Sequence, residues 1–125
     1  MLQKILWLAL AGALGTLARY GLAGLVQKCA GGNFPWGTAA VNIIGCPLFG
    51  ILWAVLESRV SVSGQIRMVI FIGFFGAFTT FSTFIFETGQ LLNQSQWFRC
   101  VGNMFLQNIA GLASLLGDLT IGRWI

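Results

Sequence analysis

Residues Phe75–Phe84 read FGAFTTFSTF, and the reading of this stretch decides how the chain is built. It lies in the most apolar part of the sequence, yet four phenylalanines are interleaved with five glycine or hydroxyl-bearing positions. Thr79, Thr80, Ser82 and Thr83 do not suit a plain lipid-facing helix, because polar groups in hydrocarbon are costly unless they meet a partner or water. The four rings do not suit a water-soluble loop. The mixture predicts a membrane segment that faces something other than lipid.

Composition identifies the surrounding solvent. Of 125 residues, 57% are hydrophobic and only 8% charged, whereas a soluble domain covers itself with about a quarter charged residues. Four apolar segments can be drawn, at about Ile5–Val26, Thr38–Leu56, Met68–Leu92 and Val101–Ile121. Each is near the roughly 20 residues that carry a helix across a bilayer. The expectation is an all-α, four-transmembrane-helix integral membrane protein, with residues 1–125 forming a single domain. The first segment does not read as a removable signal, since its apolar run is too long and Arg19-Tyr20 stands where small residues would be cleaved. GGNFPWG (Gly31–Gly37), ESRVSVSGQ (Glu57–Gln65) and NQSQW (Asn93–Trp97) are the connections. Trp7, Trp36, Trp53, Trp97 and Trp124 fall toward span ends, as interfacial tryptophans do.

The net charge of +4 comes from seven basic residues placed singly, so there is no basic patch and no nucleic-acid partner is expected. These residues read as loop anchors. Lys4, Arg59, Arg67 and Arg123 fall on one side of the membrane, and Arg19, Lys28 and Arg99 on the other. Four against three barely instructs orientation, which predicts insertion both ways and pairing as a dual-topology, antiparallel homodimer. Cys29, Cys46 and Cys100 are odd in number and lack ligand spacing, and histidine is absent. That argues against a disulfide framework, a zinc centre and a histidine proton relay. With no nucleophile–base pair or phosphate loop either, the chain does not read as an enzyme.

The polar residues inside the spans are ordered. Thr38, Asn42, Gly45 and Phe49 share one face of the second helix, and Thr80, Thr83 and Glu87 one face of the third. Phe81 and Phe84 form an i, i+3 pair about a quarter turn from that face. Asn103, Gln107, Gly111, Ser114 and Asp118 make a seam on the fourth. Hydroxyls, amides and small residues such as Gly12, Gly15, Gly45 and Gly50 commonly serve only to join helices. Three seams in so short a chain exceed what one bundle buries, and point to a second subunit or a water file. A cation route would favour carboxylates, yet Glu87 is the only acidic residue well inside a span. Neutral donors and electropositive ring edges suit a small anion. The centre of the third helix, GAFTT (Gly76–Thr80), should also interrupt the helix. Oxygens freed by such a break would suit a small hard cation.

GAFTTFSTF (Gly76–Phe84), GTAAVNIIG (Gly37–Gly45) and GALGTLARY (Gly12–Tyr20) together resemble the small prokaryotic fluoride channels of the Fluc/CrcB family. The resemblance extends over essentially the whole chain. It implies an antiparallel dimer in the cell inner (plasma) membrane that passively exports fluoride through two pores. It also implies a fluoride pathway through Asn42, Phe81, Phe84, Thr80, Thr83, Glu87 and Ser114, with Arg19 near a vestibule. A structural Na+ ion at the dimer interface would be held by backbone carbonyls of Gly76 and Thr79 from both subunits. Two departures stand out: Ala77-Phe78 before the double threonine, and Cys46-Pro47 after VNIIG, where proline is expected to disturb the second helix. The competing reading is a proton-coupled exporter of the small multidrug-resistance kind. It would need a membrane carboxylate in the first helix, which has none. A non-conducting accessory subunit is the third possibility.

Overall fold

The computed structural model describes residues 1–58 and 62–122, with side chains described for 1–57 and 62–117. Arg59, Arg123, Trp124 and the side chain of Asp118, all used above, lie outside the described residues. Every regular element among the described residues is helical: α1 (Leu2–Ala30), α2 (Trp36–Ser58), α3 (Gly64–Met68), a π-helical stretch (Val69–Phe75), α4 (Gly76–Phe78), α5 (Phe81–Asn93) and α6 (Trp97–Gly122). Four stretches are long and apolar enough to cross a membrane: Leu2–Ala30, Trp36–Glu57, Gly64–Asn93 and Trp97–Gly117. These are the four spans expected; the first three reach further at both ends than the apolar run alone indicated, and the fourth begins four residues earlier.

The third span is interrupted within GAFTT, as the sequence predicts. Gly76 keeps helical dihedrals (φ −62°, ψ −30°). The extended residues are Thr79 (φ −80°, ψ 159°) and Thr80 (φ −150°, ψ 110°). Side-chain branching explains why the two threonines, and not the glycine, leave the helix, since threonine loses less in extended backbone than in a helix. The π-helical stretch before the break was not anticipated. It donates the Gly76 N–H back to the Phe71 carbonyl, one residue beyond the usual α-helical partner.

Pro47 also departs from expectation, because α2 runs unbroken through it from Trp36 to Ser58. Proline deletes one donor of the helical ladder, and neighbouring helices make that loss tolerable in a membrane span. At the start of α2, Gln27 of α1 does the organising. Its Nε2 donates to the carbonyls of Gly32 (3.2 Å) and Phe34 (3.1 Å), and its Oε1 accepts from the Gly37 N–H (3.0 Å). One side chain thus closes the first connection, in which Gly31 and Gly32 take positive φ.

Packing divides into a small-residue seam and an aromatic core. A Cβ at Gly15 would run into the Phe74 carbonyl, and one at Gly73 would lie 2.8 Å from Ala11 Cβ. The α1 backbone therefore rests directly on the π-helical stretch. On the other side of that stretch, Val41, Phe71, Phe75 and Phe78 form the buried core, joined by Phe49 of α2. Phe49 meets Phe71 at 4.6 Å and Phe75 edge-on at 5.5 Å. In hydrocarbon such close contact, rather than water exclusion, holds helices together.

Replacing Gly15 by Ala is expected to destabilise the folded protein by about 1–3 kcal/mol through overpacking against backbone. Gly24→Ala, where nothing lies within 4 Å, should leave stability unchanged. Melting of the two variants in detergent, side by side, checks this.

Candidate functional site

Thr79 still donates its N–H to the Phe75 carbonyl (3.0 Å), but the N–H and carbonyl of Thr80 lose their intrahelical partners, which hydrocarbon cannot replace. Asn42 of α2 supplies them. Its Oδ1 accepts from the Thr80 N–H at 2.8 Å, and its Nδ2 donates to the Thr80 carbonyl at 3.1 Å. Opposite the break α2 carries Gly45, where a Cβ would come within 2.5 Å of Thr79 Cγ2. Glycine here lets the extended strand lie flush against α2.

Beyond Asn42 the amides continue into α6. Asn42 Nδ2 also donates to Gln107 Oε1 (2.6 Å), and Gln107 Nε2 to Asn103 Oδ1 (2.8 Å). Asn103 Nδ2 donates to Thr88 Oγ1 (2.9 Å), whose hydroxyl donates to the Phe84 carbonyl (2.6 Å). Asn103 is fully buried, and Gln107 and Thr88 nearly so.

The break itself starts a new helix. Thr80 caps α5, its Oγ1 accepting from the Thr83 N–H (3.3 Å) while its hydroxyl donates to Thr83 Oγ1 (2.9 Å). Of the four N–H groups that any helix start leaves unpaired, Thr80 and Thr83 are thereby satisfied. Those of Phe81 and Ser82 remain, at the positive end of the α5 dipole.

That end opens on a cavity of about 300 Å³. Asn42, Gly45, Cys46 and Phe49 line it from α2, and Thr79, Thr80, Phe81 and Phe84 from the break and α5. Gln107, Asn108 and Leu115 close it from α6. Among the described residues no charged side chain lines it. The two rings stand 5.8 Å apart, tilted by 49°. Phe84 is 4% exposed and Phe81 72% exposed, so one ring is fixed within the bundle and the other projects from it.

The predicted site residues therefore separate into groups. Asn42, Thr80, Phe81 and Phe84 are brought together at this cavity. Thr83 lies on α5 just beyond it, bonded to Thr80. Glu87 is further along α5, where its Oε1 accepts from Thr38 Oγ1 (2.9 Å) and its Oε2 is buried with no hydrogen-bond partner. It lines a second, polar cavity of about 370 Å³ with Gln27, Asn33, Phe34, Pro35, Gln90, Leu91 and Gln94. Ser114 is half-buried on α6 outside the lining of either cavity. Its hydroxyl turns back to the Ala110 and Gly111 carbonyls (2.6 and 3.1 Å) of its own helix. Arg19 is half-buried on α1, likewise outside both linings. Gly76 is exposed, and Thr79 donates its hydroxyl to the Phe75 carbonyl (3.0 Å).

Sequence reasoning placed Asn103 and Gln107 on a seam without giving them a site role, and it missed Thr88 and Gln27. The i, i+4 spacing of Asn103 and Gln107 was the available signal. Thr88 gave none, because a hydroxyl beside Glu87 looks like ordinary helix surface.

Comparison with known proteins follows the same residues. Residues 6–118 match the family described as CrcB-like protein, Camphor Resistance (CrcB). A Nitrosococcus oceani protein is 50% identical over 125 residues, the whole of both chains, and bears the name fluoride-specific ion channel FluC. Proteins of the same name from Desulforapulum autotrophicum and Solidesulfovibrio magneticus are 50% and 51% identical, again over the whole of both chains.

Asn42→Leu removes both partners of the Thr80 peptide, at about 1–3 kcal/mol for each buried group left unpaired. Hydrogen exchange of residues 79–83 is expected to accelerate by roughly tenfold or more, with the α1 amides as unaffected reference.

Proposed function

The chain belongs to the CrcB-like family, and from that premise we propose that it is a passive, fluoride-selective channel, neither an enzyme nor a pump. The observation that carries this reading is the start of α5, which opens on a cavity lined, among the described residues, by no charged side chain. A helix N-terminus offers backbone N–H groups and a partial positive charge to an anion. Broken helices in membrane transport proteins present their ends to ions in the same way. Phe81 and Phe84 add ring edges, whose quadrupole is positive in the ring plane. Neutral donors bind an ion strongly enough to replace water and weakly enough to release it.

From the cavity the route follows one face of α5, past Thr80 and Thr83 to Glu87 and the second cavity. Thr38 and Glu87 link α2 to α5 at that point. Ser114, with its hydroxyl bonded within α6, stands outside this route, and Arg19 on α1 draws anions toward the approach. The proton-coupled alternative lacks its carboxylate, since α1 contains neither Asp nor Glu.

The working unit is an antiparallel pair of chains spanning the bacterial plasma (inner) membrane. Phe81, Ser82, Thr83 and Gly76 are exposed at membrane depth, and lipid cannot satisfy the polar groups among them. A second copy covers them, and the near-even split of Lys and Arg permits its opposite orientation. The residues at the break also fit a structural Na+. α4 ends at Phe78, so the carbonyls from Gly76 to Thr79 lack intrahelical donors. Hard cations take such oxygens. Gly76 and Thr79 of each copy would hold the ion, which supplies positive charge against carbonyl dipoles that would otherwise repel across the interface.

Purified protein in liposomes is expected to release fluoride rapidly and chloride not at all, read with ion-selective electrodes. Absence of fluoride release from intact, folded protein would overturn the reading. Phe84→Ile should slow fluoride release by roughly tenfold or more, the equivalent of about 1.4 kcal/mol, with helical content unchanged. Exchange of Na+ for a bulky organic cation should lower the melting temperature of the assembled protein.

A further inference from the structure

The amide chain between α2, α5 and α6 has a direction that its ends dictate. At one end the Phe84 carbonyl can only accept, so the Thr88 hydroxyl donates to it and accepts from Asn103 Nδ2. Asn103 must then turn Oδ1 toward Gln107, which donates with Nε2 and presents Oε1 to Asn42. At the other end the Thr80 N–H can only donate, which assigns Asn42 Oδ1 to it independently. The two backbone ends demand the same orientation of all three amides.

Donor accounting follows from that orientation. A side-chain amide has two N–H hydrogens. Both of Asn42's are occupied, by the Thr80 carbonyl and by Gln107 Oε1. Gln107 Nε2 places one hydrogen on Asn103 and keeps the other, while its side chain lines the 300 Å³ cavity beside Phe81 and Phe84. Asn108 also lines the cavity and, after its bond to the Met104 carbonyl (2.7 Å), keeps one hydrogen too; but it is exposed, whereas Gln107 is buried and held by Asn103 and Asn42.

Resting on the channel reading above, we propose that Gln107 is the side-chain amide that donates to the anion in this cavity. Asn103 is its positioning residue, and Asn42 serves the helix break instead of the ion. Asn103 acts through Gln107 alone: it fixes which end of that amide faces the cavity and touches no ion itself.

The test is the fluoride concentration at which efflux from proteoliposomes half-saturates, since a merely structural loss lowers maximal flux without moving it. Gln107→Glu keeps the side-chain length and the acceptor for Asn42, and replaces the free N–H by oxygen. It is expected to raise half-saturation by about tenfold or more, equivalent to about 1.4 kcal/mol. Gln107→Met should raise it less, because Asn42 Nδ2 loses its partner and offers its own hydrogen. Asn103→Leu should raise it by a smaller factor still. Asn108→Ser probes the other amide of the lining and should shift it less than either Gln107 variant, and Cys29→Ser, at an exposed position of α1 outside both cavities, should not change it. Unchanged half-saturation in both Gln107 variants, or a shift confined to Asn108→Ser, overturns the proposal while leaving the channel reading intact. Absence of fluoride efflux from the unsubstituted protein would overturn both.

Discussion

Pairing of the Asn42 side chain with the Thr80 peptide is the constraint on which the rest of the structure depends. A helix interrupted inside a bilayer leaves peptide groups that water cannot reach. A carboxamide is the neutral side chain with a donor and an acceptor set as in a peptide. Asn42 therefore replaces a missing peptide neighbour, and α2 must lie close enough for it to do so. Gly45, one turn on, permits that distance. With the break held, α5 can start at Phe81 in mid-membrane and direct its N-terminus sideways into a cavity, instead of continuing the ladder of α4.

The opposite side of the third span has its own requirement. Backbone-to-backbone contact at Gly15 and Gly73 fixes α1 on the π-helical stretch. Its wider turn accommodates one more residue than an α-helix over the same length. Phe71, Phe75 and Phe78, at i, i+4 and i+7, face the core together, and Phe49 packs against the first two. Small residues on one face and interlocked rings on the other hold the segment before the break firmly. The residues after it are held chiefly by polar bonds. Rigid packing thus ends where ion chemistry begins.

Much of this was legible in the sequence, and the exceptions are physical. The four spans followed from apolar length, and the polar faces from helical spacing, because both depend on periodicity within one segment. The break was expected within Gly76–Thr80 and occurs at Thr79–Thr80; spacing alone did not say which of the five residues leaves the helix, since glycine permits departure but does not require it. Pro47 was expected to disturb α2 and does not, because its environment, not its ring, decides the outcome. Asn42 and Gln107 were each visible on a polar face. That they bond one another depends on the relative rotation of α2 and α6, which spacing along either helix does not encode. The same holds for Gln27, whose three bonds close the five-residue connection between α1 and α2.

Hydrogen-bond direction then separates residues that composition treats alike. Thr79 donates to Phe75, Thr80 to Thr83, Thr88 to Phe84 and Ser114 to Ala110 and Gly111. Each of these hydroxyls is occupied within its own strand of structure. A membrane protein must satisfy its polar groups internally, so a segment rich in hydroxyls is not by that fact rich in free donors. What stays free is determined by geometry: backbone N–H groups at the start of α5, ring edges, and a remaining amide hydrogen on α6. In the channel proposed above, a site built from such remainders would hold an ion without a fixed opposite charge, and would therefore be able to let it go.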